Sequence, residues 1–129
     1  MSKFDNFSRA LDNLHDIYRY EEPFGNVELS GMVALYEICF EQAWKAMKEA
    51  LQRNGYGEAK TGSPRQVIKT AYAADMLPDE SLWLRALTDR NNVAHSYNEA
   101  IARGIVQNTK AQYYEMFRTL RDVLQSDWM

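Results

Sequence analysis

Apolar residues recur at steps of three and four along almost the whole of this 129-residue chain, and that spacing constrains its fold more than any other feature. Steps of this kind put side chains on one stripe of an α-helix, whereas a half-buried strand needs strict alternation. Phe4, Phe7, Leu11, Leu14 and Tyr18 form the first stripe. A second, longer one runs through Met32, Tyr36, Cys39, Phe40, Ala43, Trp44, Met47 and Leu51. The last runs through Ile101, Ile105, Tyr113, Phe117, Leu120 and Leu124, with Gly104 tolerated at about 1 kcal/mol relative to Ala. No segment sustains a period of two, and no internal repeat or low-complexity tract occurs.

The breaks between stripes have stated mechanisms. Pro23 and Gly25 end the first helix in quick succession, and Asn26 is placed to cap the second. Asn54-Gly55-Tyr56-Gly57 stops that helix. Ser63-Pro64-Arg65-Gln66 is a helix start, with Ser63 as cap, Pro64 at the first helical position and Gln66 completing a capping box. Val67, Ile68, Ala71 and Tyr72 give this short third helix its inner side. Pro78-Asp79-Glu80 suits the acidic first turn of a fourth helix carrying Leu82, Trp83, Ala86 and Leu87. A final helix opens near Asn98 or Glu99 and runs to about Gln125. The expectation is an all-α fold, an antiparallel four-helix up-and-down bundle with one additional short helix, spanning residues 1–129 as one domain.

Composition excludes several function classes. With 15 basic against 18 acidic residues the net charge is −3. Cut at Pro64, the chain has 7 basic and 10 acidic residues before and 8 of each after, so neither half is a basic module for tracking a nucleic-acid duplex. Cys39 is the one cysteine, and His15 and His95 are the two histidines, too few for a disulfide framework or a multi-imidazole zinc site. No phosphate loop, HExxH pair or EF-hand loop occurs, so no metal and no cofactor is expected. The charged amphipathic start has no signal-peptide core, and the charge-free run from Leu29 to Tyr36 is too short to span a bilayer, which points to the cytoplasm.

Most conspicuous side chains have packing explanations. Trp44, Trp83, Tyr36, Tyr72 and Tyr113 fall on stripes, Met32, Met47 and Met116 fill gaps, and Cys39 reads as an inert small hydrophobe. His15 reads as a surface histidine. The segment Asp89-Arg90-Asn91-Asn92-Val93-Ala94-His95-Ser96-Tyr97-Asn98 is different, because it puts polar groups where a helix should settle into its core. At about 100° per residue, Arg90 and Tyr97 share a helix face, while His95 lies about 140° from Arg90. Bringing Arg90 and His95 together therefore requires the helix to end or distort near Ala94, or a second subunit. Histidine moves protons near neutral pH and arginine offers a charged fork for phosphate oxygens, a pair able to cleave RNA without a metal. The competing reading is a hydrogen-bonded knot of Asp89, Arg90 and His95 that pins two helices.

Arg90 and His95, with Asn91 after the arginine, resemble the R-x-x-x-x-H signature of HEPN domains, and Tyr97 extends it to R-x-x-x-x-H-x-Y. With Phe40-Glu41-Gln42-Ala43-Trp44-Lys45, Ser63-Pro64-Arg65 and Trp83, the chain resembles the nucleotidyltransferase substrate-binding protein family over its full length. The resemblance implies a homodimer in which two motifs face each other. It also implies a minimal nucleotidyltransferase as partner, the two forming a toxin–antitoxin pair. Arg90 and His95 would then be catalytic in a metal-independent ribonuclease acting on RNA, Asn91 a supporting residue, and Tyr97 the site at which the partner transfers AMP. Lys45, Arg65 and Lys69 are candidates to line the cleft, with solvated positions the competing reading for the two lysines. The family also admits a non-catalytic role, as the substrate-binding subunit of a two-component nucleotidyltransferase. A purely structural dimerising bundle is the third reading.

Overall fold

The computed structural model describes residues 2–57, 59 and 62–129, and among these there is no strand. The order is α1 (Lys3–Leu14), a 3₁₀ turn (His15–Arg19), α2 (Asn26–Arg53), α3 (Pro64–Ala73), α4 (Glu80–Asn91), a second 3₁₀ turn (Asn92–His95), α5 (Glu99–Asn108), a π turn (Thr109–Tyr113) and α6 (Tyr114–Asp127). Because α5, the π turn and α6 run on without a break, the described residues make five helical rods. No helix among the described residues is long and apolar enough to cross a membrane.

Side-chain caps fix most of the starts. Ser2 Oγ accepts from the Asp5 N–H at 3.1 Å, Ser63 Oγ from Gln66 at 3.3 Å, and Asp79 Oδ1 from Leu82 at 3.0 Å. Asn98 Oδ1 accepts from both Ala100 and Ile101. Each such cap contributes about 1 kcal/mol. At α2 the expectation of an Asn26 cap is corrected. Gly25 holds the cap position, and its N–H donates to Glu28 Oε1 at 2.8 Å, so the acidic first turn reaches back to the chain and Asn26 is already helical. The stop after α2 comes from Gly55, whose φ of 90° favours glycine.

One apolar cluster runs through the molecule, with Phe7, Leu11, Tyr36, Phe40, Trp83 and Phe117 among its fully buried members. Phe117 packs edge-on against both Phe7, at 6.3 Å between ring centroids, and Trp83, at 5.6 Å. Tyr18 and Tyr72, both expected on core stripes, lie outside. Tyr18 is 41% exposed because the 3₁₀ turn advances about 120° per residue and carries Ile17 inward instead. Tyr72 is exposed too. α3 ends one residue later, and Met76 and Leu77 are the buried residues after Asp75 turns the chain with φ 62°.

Residue pairings give the directions. Ser8 and Asp12 meet Arg121, while Tyr18 meets Lys110, so α1 runs against the α5–α6 rod. Tyr36 stacks on Tyr113 and Tyr56 lies on Trp128, so α2 runs with it. Trp83 meets Phe117 and Asp89 meets Asn108, so α4 runs against it. The α2 rod, 28 residues and about 42 Å long, touches every other one and positions the segment that follows α4.

Candidate functional site

The end of α4 is tied down on three sides. Buried Tyr36 on α2 donates its hydroxyl proton to the Ala86 carbonyl at 2.5 Å. One turn later, Asp89 Oδ2 accepts from the Tyr113 hydroxyl at 2.7 Å and from Asn108 Nδ2 at 3.0 Å. The π turn brings Tyr113 there. Thr109 Oγ1 donates to the Ile105 carbonyl at 2.7 Å, and the widened turn sets Tyr113 inward, 2% exposed. Burial first, and then the Asp89 carboxylate, push the Tyr113 phenol well above the usual tyrosine range. The Tyr36 phenol is raised further, again chiefly by burial.

Arg90 sits on the last turn. Its Nη2 donates to Glu41 Oε1 on α2 as an ion pair, and its Nη1 donates to Asn91 Oδ1 at 3.2 Å. Both partners are about a quarter exposed, Arg90 at 27% and Glu41 at 26%. The second Glu41 oxygen accepts from Trp44 Nε1 at 3.2 Å. Glu41 is the residue that sequence reasoning missed in this role. Its signal was present, a carboxylate beside Phe40 on a helix whose neighbours are core.

The helix does give way where the polar run predicts. α4 stops at Asn91, a 3₁₀ turn covers Asn92–His95, and Ser96 and Tyr97 form a turn before the Asn98 cap. An ideal 3₁₀ turn does not by itself carry position 95 round to the face of position 90. Four ideal steps of about 120° take position 95 past the far side, about 140° from position 90 in the other direction. Among the described residues the two side chains share no hydrogen bond. His95 is exposed and lies edge-on to Tyr97, with 6.3 Å between ring centroids. Tyr97 is 87% exposed and borders a small polar cleft of about 140 Å³ with Asn26, Ser30, Val33 and Ser96.

Asp89 and Arg90 each tie α4 to a neighbouring rod, through Tyr113 and Asn108 and through Glu41, but among the described residues they share no bond with each other or with His95. Asn91 is exposed and steadies Arg90. Lys45 lines a different cleft, with Trp44. Trp44 is half-buried as a wall of that cleft instead of filling the core. Arg65 is exposed on the first turn of α3, and Lys69 reaches Glu80 at 4.0 Å. No contact joins any of these three cations to Arg90 or His95 among the described residues. Cys39 is fully buried, and burial raises its thiol well above the ordinary range, which suits an inert packing group. No three His, Cys, Asp or Glu side chains among the described residues converge as ligands for a metal.

A family model described as nucleotidyltransferase substrate binding protein like matches residues 2–126. The chain belongs to that family. Membership bears out the resemblance carried by Arg90, His95, Tyr97 and the Phe40–Lys45 segment, and makes the chain a HEPN-type domain. A Thermus thermophilus protein of known crystal structure is 27% identical and superposes with a TM-score of 0.81, covering 92% of this chain and 98% of that one. HI0074 of Haemophilus influenzae, described as the fold of a substrate binding domain of a nucleotidyltransferase, is 16% identical with a TM-score of 0.72, covering 96% and 95%. At that identity the likeness shows the shared fold. No curated protein matches the chain. The family implies association with a nucleotidyltransferase partner.

Proposed function

We propose that this chain is the HEPN toxin of a HEPN/minimal-nucleotidyltransferase toxin–antitoxin pair, a metal-independent endoribonuclease neutralised by AMP transfer to Tyr97. The observation that carries the reading is the exposed His95–Tyr97 pair just beyond Arg90, which among the described residues is bonded to Glu41 and Asn91 and not to His95. A motif split in this way is completed by a second copy, so the active form is a homodimer. In this reading α1, α2, α4 and the α5–α6 rod make an antiparallel up-and-down bundle, α3 is the additional short helix, and the pair works in the cytoplasm.

The chemistry follows from the side chains. His95 of one subunit takes the proton from a ribose 2′-hydroxyl, and that oxygen attacks the adjacent phosphorus. Arg90 of the other stabilises the charge gathering on the phosphoryl oxygens. The 5′-oxygen leaves and takes that proton from His95, and the 2′,3′-cyclic phosphate remains. An AMP group on Tyr97 places a phosphodiester anion and a nucleoside beside His95, blocking RNA by charge and bulk. Lys45, Arg65 and Lys69 are the cations proposed to guide the strand towards this cleft.

A second reading, the non-catalytic substrate-binding subunit of a two-component nucleotidyltransferase, is favoured by one feature. The Arg90–Glu41 ion pair already satisfies the guanidinium that a phosphoryl group would need. RNA cleavage by the purified chain in the presence of a chelator separates the two, after intact mass has confirmed that Tyr97 is unmodified. We expect cleavage by the wild type and its loss in both His95→Ala and Arg90→Ala dimers. Absence of cleavage by a folded, unmodified dimer over varied RNAs rejects the ribonuclease in favour of the binding subunit.

A further inference from the structure

One cleft lies outside the motif yet is wired to it. About 350 Å³ in volume, it is walled by Lys3 of α1 and by Trp44, Lys45, Lys48, Glu49 and Gln52 of α2. Three ammonium groups and one carboxylate make it locally cationic in a chain of net charge −3. The carboxylate does not balance them, because Glu49 is held by Arg53 at 2.9 Å. Among the described residues none of the three lysines is in an ion pair. Lys45 and Lys48 are one helical turn apart, where like charges repel, so the arrangement costs stability unless an anion occupies it.

The aromatic wall is held in place before any ligand arrives. The Trp44 indole N–H donates to Glu41 Oε2 at 3.2 Å, which fixes the plane of the ring, and the other Glu41 oxygen holds Arg90. Lys48 Nζ stands 5.9 Å from the ring centroid, so a cation already lies over the π-face. A fixed ring beside several ammonium groups is the arrangement that single-stranded nucleic acid and nucleotides select, because every base has a face to stack and a phosphate to neutralise. The volume falls within the range of small-molecule sites.

We propose that this cleft binds one nucleotide unit, its base stacked on Trp44 and its phosphate held by Lys3, Lys45 and Lys48. Two sources share that chemistry, a unit of an RNA strand whose scissile bond lies at the motif, and a free nucleotide. The RNA source rests on the ribonuclease reading; the nucleotide contact itself does not. The chain Arg90–Glu41–Trp44 connects cleft and motif, so occupancy of one is felt at the other through the orientation of Glu41.

The test is tryptophan fluorescence of the His95→Ala protein, which leaves RNA intact, titrated with AMP, with a short oligoadenylate RNA and with inorganic phosphate. Trp44→Leu assigns the signal, and it is read in a Trp128→Phe background, since Trp83 is buried but Trp128 lines the neighbouring cleft that shares Glu49. We expect AMP or the RNA to quench Trp44, with affinity falling on the order of tenfold in Trp44→Leu, read by competition with a labelled strand. Lys45→Gln/Lys48→Gln should bind at least as weakly while melting no lower than its parent, since the repulsion between the two ammonium groups is removed. If the strand is the source, RNA binds far more tightly than AMP, and the double variant reduces the logarithmic salt slope by about 1.4. Equal binding of AMP and RNA marks the free nucleotide. Unchanged affinity in both variants, or no quenching by either probe, overturns the proposal. Cleavage is scored separately on the wild type, so a bound but uncut strand rejects the ribonuclease alone, and cutting with an inert cleft rejects the cleft alone.

Discussion

Replacing Glu41 by Gln tests the contact around which the motif is built. Glu41→Gln keeps the shape and one acceptor for Trp44 but removes the charge facing Arg90. With side chains 27% and 26% exposed, the pair stands between two regimes. An exposed pair contributes up to about 1 kcal/mol, and orphaning one member of a buried pair costs about 3–5 kcal/mol. Partial solvent screening puts this pair near the lower regime, at about 1–2 kcal/mol. For a chain of this size that lowers Tm by roughly 3–8 °C. The assay is a double-mutant cycle of Glu41→Gln and Arg90→Gln by urea denaturation, with a coupling of about 1–2 kcal/mol expected. Inorganic phosphate should also stabilise Glu41→Gln more than the wild type, because Arg90 is released, and this gain should vanish in the double variant. Single effects that add to within about 0.3 kcal/mol would refute the ion pair as the element holding Arg90.

Other outcomes are equally specific. Tyr97→Phe should abolish AMP incorporation by the partner nucleotidyltransferase, read by intact mass, and leave the melting temperature unchanged because the side chain is 87% exposed. Asn98→Ala removes the acceptor for two N–H groups and should cost about 1 kcal/mol in urea denaturation, with loss of order at the His95–Tyr97 turn read by amide exchange. Stability should fall on the alkaline side. Tyr36, Tyr113 and Cys39 all have folded-state pKa values raised by burial, so the folded chain holds protons that the unfolded chain releases. Their contribution is complete below the ordinary thiol and phenol pKa values and is lost above them, at about 1.4 kcal/mol per pH unit for each group. Cys39→Ala should therefore flatten the first part of that decline, and a decline identical to that of the wild type would show that the thiol does not carry it.

Much of the fold was legible because the controlling physics is local. Ser63-Pro64 starts α3, Gly55 ends α2 and Asn98 caps α5, each through a contact within four residues. The misreadings have two causes, a local change of helical step and the packing of the chain beyond it. Tyr18 left the core because a 3₁₀ turn changed the angular step, and the π turn at Thr109–Tyr113 was invisible because the stripe through Tyr113 looks regular in either geometry. Tyr72 falls on the right stripe, but only packing decides that the chain beyond Asp75 sends Met76 and Leu77 inward in its place.

The candidate site divides along the same line. The sequence alone determined the all-helical course and the polar interruption after α4, and left a helix end near Ala94 as one of two options. These depend on caps, propensities and hydrophobic spacing, which act over one or two turns. Only the tertiary structure decided that Glu41 reaches Arg90 across 49 positions of sequence, that Tyr113 and Asn108 hold Asp89, and that Lys3 joins Lys45 and Lys48 around Trp44. Such contacts join rods that sequence spacing does not orient towards one another. Their partners are chosen by how the buried stripes pack, and a local pattern carries no record of which rod will lie alongside.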